Sequence, residues 1–214
     1  MRYFILIISL FYFTINGFSQ TDYGKLLSQI KKDKLSLKQN KVGNDSIKNY
    51  LLYQFEKQVF PFWKGRPWDY NGYTNSPYKG KIACGYFVST TLKHIGFNWN
   101  RYELAKMYSK QIVDDITDTT FEFKTIKQLE TYIKYQTDNL YIIGLSGHVG
   151  LILKRNNKIW FIHSNYYENQ GPIKERLYKS NALKDSKVYW CGKFLTYSNI
   201  KKWLNNTAYH LTRK

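Results

Sequence analysis

Cys84, His148, His163 and Asn165 are the residues of this 214-residue chain whose types and spacing suit chemistry. Cys84 opens the segment Cys84-Gly-Tyr-Phe-Val-Ser-Thr-Thr-Leu-Lys-His-Ile95, in which Phe87, Val88, Leu92 and Ile95 recur at helical spacing. That places a thiol at a helix N-terminus, where unpaired N–H groups and the helix dipole favour an anion, so a lowered thiol pKa is expected. His148 stands at the mouth of the apolar run Val149–Leu153, and His163 and Asn165 end the next such run, Ile159-Trp-Phe-Ile-His163-Ser-Asn165. A helix-borne cysteine followed by a strand-borne histidine is the pair a thiolate nucleophile and its base require. His148 would take the thiol proton or hold it as an ion pair. His163, or alternatively Asn165, would fix the tautomer of His148.

These residues depend on a register. Asn156-Asn157 between the two runs suits a two-residue hairpin turn, which would pair Arg155 with Lys158. His148 then faces Asn165, and His163 faces Gly150 and lies diagonal to His148 on the same face, within side-chain reach. A slip of one residue would send His163 to the opposite face. His94 and His210 have no such context, and His94 reads as a helix-surface residue.

The pattern along the chain is helices first and strands second. Helices are expected over residues 22–39, 45–60, 84–95, 101–113, 124–136 and 198–205, and strands over 140–145, 148–154, 158–163 and 187–195. This is an α+β arrangement with an antiparallel sheet. Residues 61–82 hold most of the prolines and many aromatics and read as a long functional loop.

Residues 1–19 have a basic start, an apolar run too short to span a membrane, and small residues near a cut before Gln20. They read as a cleavable signal peptide, which makes the protein secreted or periplasmic. Residues 20–214 form one domain, with a helical extension over 20–60 and a core over 61–205. The formal net charge is +18, and residues 1–19 contribute only Arg2 to it. Such a charge attracts polyanions. Export argues against nucleic acid and for an anionic wall polymer, although only six of the 33 basic residues are arginine, as a solvated lysine surface would also give. With two cysteines there is no disulfide framework. Cys191 reads as a free, buried core thiol in the strand around Val188–Phe194. No metal-ligand spacing and no cofactor motif is evident.

Ala83-Cys84-Gly85-Tyr86-Phe87-Val88, His148-Val149-Gly150-Leu151-Ile152 and Phe161-Ile162-His163-Ser164 together resemble the NlpC family of papain-like cell-wall cysteine peptidases. The resemblance covers about residues 66–165. It implies a papain-like core, cleavage of amide bonds in peptidoglycan peptides, and Cys84, His148 and His163 as nucleophile, base and orienting residue. Trp68-Asp69-Tyr70-Asn71-Gly72 resembles the aromatic segment preceding the family's cysteine block. By that resemblance Tyr70 lies beside the oxyanion hole, with the Cys84 N–H as a donor, and Trp68 and Tyr73 line the substrate site. The chain departs from the family at Ala83, where Asp is usual, and at Gly85-Tyr86, where Ser-Gly is usual. The related CHAP amidases often use an acid or Asn as the third residue, which keeps Asn165 in play. The expectation is a secreted cysteine hydrolase of peptidoglycan amides. The alternatives are a thiol hydrolase of proteins or other acyl substrates, and a non-catalytic wall-binding module.

Overall fold

Apolar spacing sets the helices that begin the fold. The computed structural model describes residues 20–212, so the leader expected over residues 1–19 lies outside the described residues. Helix α1 is Gln20–Gln39 and α2 is Asn44–Tyr53, with Ile47, Leu51 and Leu52 buried. The helix expected over 45–60 is neither uniform nor that short. Past Tyr53 it loosens into a π-helical turn, Gln54–Val59, then resumes as α3, Phe60–Trp63. Pro61 stands in the first turn of α3, directly after the π-helical turn, and its fixed φ suits a helix.

Helix α4, Cys84–His94, buries Phe87, Val88 and Leu92. The single helix expected over 101–113 is two. In α5, Arg101–Ala105, the Asn100 side chain accepts the N–H groups of Tyr102 and Glu103. The chain then closes with tight bonds from Lys106 to Glu103 and from Met107 to Leu104 before α6, Ser109–Ile116. Helix α7, Ile126–Lys134, is capped by Thr125. Two further α-helices follow, α8 at Asn181–Lys184 and α9 at Tyr197–Asn205.

Among the described residues six strands make one antiparallel sheet. They are β1 (Phe121–Phe123), β2 (Asn139–Leu145), β3 (Val149–Arg155), β4 (Lys158–Asn165), β5 (Gly171–Glu175) and β6 (Tyr189–Lys193), in the order β1-β6-β2-β3-β4-β5. The α+β class is as expected. The two edge strands, β1 and β5, are additions to the four expected. β1 is three residues long, and β5 opens with Gly-Pro, a combination tolerated at an edge because proline cannot donate to a ladder. Arg155 pairs with Lys158 and Leu151 with Ile162, the register that the Asn-Asn turn predicts. Asn156 and Asn157 both have positive φ, 51° and 59°, as a type I′ hairpin turn demands.

Each face of the sheet has its own core. Leu151, Leu153 and Ile162 pack with Phe87, Val88 and Leu92 of α4. Ile143, Ile152, Phe161 and Cys191 pack on the other face with Leu129 and Ile133 of α7. Cys191 is buried, and both cysteines are free. His94 is half-buried rather than free on the helix surface as expected. Its Nδ1 lies 2.8 Å from the Tyr23 hydroxyl and its Nε2 3.1 Å from Asn75 Oδ1, and burial pushes it down to about 4. With Trp63 Nε1–H donating to Tyr23 at 2.7 Å, this chain of bonds pins α1 to the core. Among the described residues no helix is long and apolar enough to cross a membrane.

Candidate functional site

The site lies at the end of the sheet where the start of α4 meets the entry of β3. Cys84 is the first residue of α4 and half-buried. Gly85 allows the close approach of α5 there, since a Cβ at residue 85 would stand 2.3 Å from the Ala105 carbonyl oxygen. The loop before Cys84 is tied down by backbone bonds from Ile82 to Pro67 at 3.0 Å and from Ala83 to Gly72 at 2.8 Å. These bonds bring Trp68, Tyr70 and Tyr73 to the same cavity as Cys84 and His148. The cavity has a volume of about 860 Å³, within the range of small-ligand sites. Tyr70 and Tyr73 stand on its rim, 81% and 62% exposed. Trp68 is half-buried, with its ring against Tyr166.

His148 and His163 are brought together. His148 Nε2 lies 2.8 Å from His163 Nδ1, with the two rings nearly perpendicular. Gly150 makes the room: a Cβ there would lie 2.9 Å from the His163 Cβ. The chain of bonds does not stop at His163. Its Nε2 lies 2.9 Å from Glu175 Oε1. Glu175, the last residue of β5, sits opposite Phe161 in the ladder, which places it on the face that carries His163. Ser180 also donates to this carboxylate. Glu175 escapes a reading of the sequence because it lies in an edge strand of five residues without apolar alternation. The available signal was a carboxylate twelve residues after a suspected catalytic histidine.

Asn165 is not brought to His148. Its Nδ2 donates to Gln170 Oε1 at 2.8 Å and its Oδ1 accepts the Tyr167 N–H at 3.2 Å. It organises the turn between β4 and β5.

The protonation pattern follows from the carboxylate. Burial alone would raise Glu175, but hydrogen bonds from His163 and Ser180, with the charge of Lys184, hold it below the usual carboxylate range. Burial lowers His163, and its bond to Glu175 only partly opposes this. His148 is pushed well below the usual imidazole range by burial and by His163. Both rings are therefore neutral near pH 7. A carboxylate only accepts, so His163 must donate from Nε2 and accept at Nδ1. His148 must then carry its proton on Nε2, which leaves the lone pair of Nδ1 as its basic position.

The thiol departs from expectation. Burial pushes Cys84 up, although the backbone N–H groups of Val149, Gly85 and Cys84 itself pull it down. The helix start supplies its donors, but removal of the site from water outweighs them. At rest the Cys84 thiol and the His148 imidazole, which line one cavity, are therefore both neutral. Among the described residues no cluster of three His, Cys, Asp or Glu side chains is arranged to hold a metal ion.

Comparison with protein-family models, with curated proteins and with solved structures finds no match to this chain.

Proposed function

We propose that this protein is a cysteine hydrolase of amide bonds with a papain-like, NlpC-type core, acting on peptidoglycan peptides at the exported face of the cell. The observation that carries the reading is the bonded chain His148–His163–Glu175 running to a cavity that Cys84 shares. Such a chain fixes the tautomer of a general base and stabilises the imidazolium formed when that base takes a proton.

In the first half of the reaction, Nδ1 of His148 takes the thiol proton as Sγ attacks the carbonyl carbon of the scissile amide. The C=O π pair moves to oxygen, and the Cys84 N–H stands at the helix start to receive that oxyanion. Tyr70 borders the same cavity. Collapse re-forms the C=O bond, breaks the C–N bond and passes the proton from His148 to the leaving amine. Water then attacks the thioester with His148 again as base, releasing the carboxylic acid and restoring the thiol. Because the resting groups are neutral, proton transfer accompanies attack instead of preceding it. His163 orients His148, and Glu175 acts through His163 as a positioning residue.

The exposed tyrosines at the rim suit an amphipathic substrate such as a wall peptide on its glycan. The net charge of +18 suits an anionic wall. Digestion of purified peptidoglycan, followed by mass analysis of the fragments, tests the reading. Release of peptide fragments with new amino and carboxyl ends is expected from the parent protein and not from Cys84→Ala. Release by Cys84→Ala at the parent rate would refute the assignment. Cleavage of protein or ester substrates with intact peptidoglycan would keep the nucleophile and change the substrate class.

A further inference from the structure

A second cavity, larger than the one that holds Cys84, lies elsewhere among the described residues. A space of about 1000 Å³ opens where α1 crosses the C-terminal end of α4. Lys31, Lys34 and Lys38 reach it from α1, Lys93 and His94 from α4, and Arg101 from the start of α5, while no Asp or Glu lines it. His94 is neutral, being held at about 4 by burial, so five side chains carry the charge. Their hydrogen-bond partners are neutral. Lys34 donates to the Gly96 carbonyl at 2.9 Å and Lys93 to that of Trp99 at 2.6 Å. Arg101 donates to Thr90 Oγ1 at 2.9 Å and to the Tyr73 carbonyl at 2.7 Å, and its guanidinium lies 4.3 Å from the centre of the Tyr102 ring. Among the described residues none of the five forms an ion pair.

Arg101 is only 6% exposed. A buried cation without a counter-charge is costly, and a fold that keeps one at a cavity wall leaves a position for an anion to fill. Burial and the neighbouring Lys38 also push Lys34 down to about 8, a cost that a bound anion would relieve. The cavity wall continues towards the cleft. The Tyr102 ring lies 5.9 Å from Tyr86, and Tyr86 lies 6.3 Å from Tyr73. Tyr73 and Tyr86 line the Cys84 cavity. The eleven residues of α4 separate the two sites by roughly 16 Å along the helix axis.

We propose that this cavity is a second binding site, separate from the Cys84 cleft, for a multivalent oxyanion: the phosphate or carboxylate groups of a chain that can extend along the tyrosine wall towards the cleft. The proposal does not rest on hydrolysis at Cys84.

Calorimetric titration of the mature protein with tripolyphosphate at low salt, beside Lys31→Gln/Lys38→Gln and the control pair Lys127→Gln/Lys158→Gln, tests it. All four positions are exposed, so both pairs should melt as the parent does, and each removes the same formal charge. The cavity pair should weaken binding by about tenfold, as expected for the loss of two ionic contacts of up to about 1 kcal/mol each. The control pair should change it less than about twofold, because its charges act only through the screened field of the whole protein. Equal losses in the two pairs, or no binding by the parent, would overturn the proposal. Cys84→Ala should bind like the parent, so failure of the hydrolase reading and failure of this site give different results. A long polyphosphate that binds more tightly per phosphate than tripolyphosphate would identify a chain as the ligand. Equal binding per phosphate would show a small anion and overturn the extension towards the cleft.

Discussion

Cys84 and Cys191 are the same side chain in two surroundings. Burial raises both thiols. Around Cys191 nothing opposes it: the residue lies in β6 opposite Phe121 and Ile143, in the apolar face covered by α7. Around Cys84 three backbone N–H groups point at the sulfur, a cavity gives access, and a histidine with a fixed tautomer lines the same wall. Burial therefore does not tell the two thiols apart here. The convergence of backbone donors, a cavity and a histidine on its wall does.

The most severe way to break that contrast is to remove the nucleophile. Cys84→Ala should keep the melting temperature of the parent and lose turnover by roughly 10⁴-fold or more, as nucleophile removal does in enzymes of this logic. Turnover near the parent's would abolish the distinction between the two thiols.

The chain behind His148 comes next. Glu175→Gln puts an amide where the carboxylate was. The amide NH₂ can donate to His163 Nε2, which would shift the His163 proton to Nδ1 and oppose the Nε2–H of His148. Turnover should fall roughly 10–100-fold, less than the ~10⁴-fold of a triad carboxylate that touches the base directly. His163→Ala should fall at least as far, and Asn165→Ala far less. Alkylation of Cys84 should persist in all three, separating orientation of the base from loss of the thiol. Asn165→Ala as the most damaging change would move the site to a Cys-His-Asn type.

Thiol reactivity sharpens the comparison directly. In the native protein iodoacetamide should label Cys84 and leave Cys191 untouched until unfolding. The thiolate is the nucleophile, and burial raises the Cys84 pKa, so labelling of the ligand-free protein should rise with pH through a midpoint above that of a free cysteine. A midpoint below it, measured by labelling rate against pH, would mean a preformed thiolate–imidazolium pair.

The smallest effect belongs to Cys191. Cys191→Ala should lower stability by roughly 1–2 kcal/mol through lost packing, read by urea unfolding, and leave turnover within about twofold. Loss of activity without loss of stability would give the second thiol a role that its surroundings do not suggest.

The parts of the site legible in the sequence are those set by neighbouring residues. Apolar spacing after Cys84 puts it at a helix start, and Asn156-Asn157 fixes a two-residue turn. That turn sets the register that brings His163 to His148. The long helices and the four longer strands follow from the same periodicities. What escaped depends on contacts far apart in the chain. β5 exists because β4 offers it an edge, and Glu175 matters because that pairing lifts it to the face of His163. His94 is half-covered because α1 folds over it through Tyr23.

The sequence by itself determined the order of Cys84 and His148, the element each sits on, and the hairpin register, because helix periodicity and turn chemistry are local. Only the tertiary structure decided the carboxylate behind His163, the upward direction of the Cys84 thiol, and the gathering of five cations in a cavity without a counter-charge. Each of these is a sum over atoms that the fold assembles from distant segments: desolvation counts every neighbour of the sulfur, and the field in a cavity counts every charge on its walls.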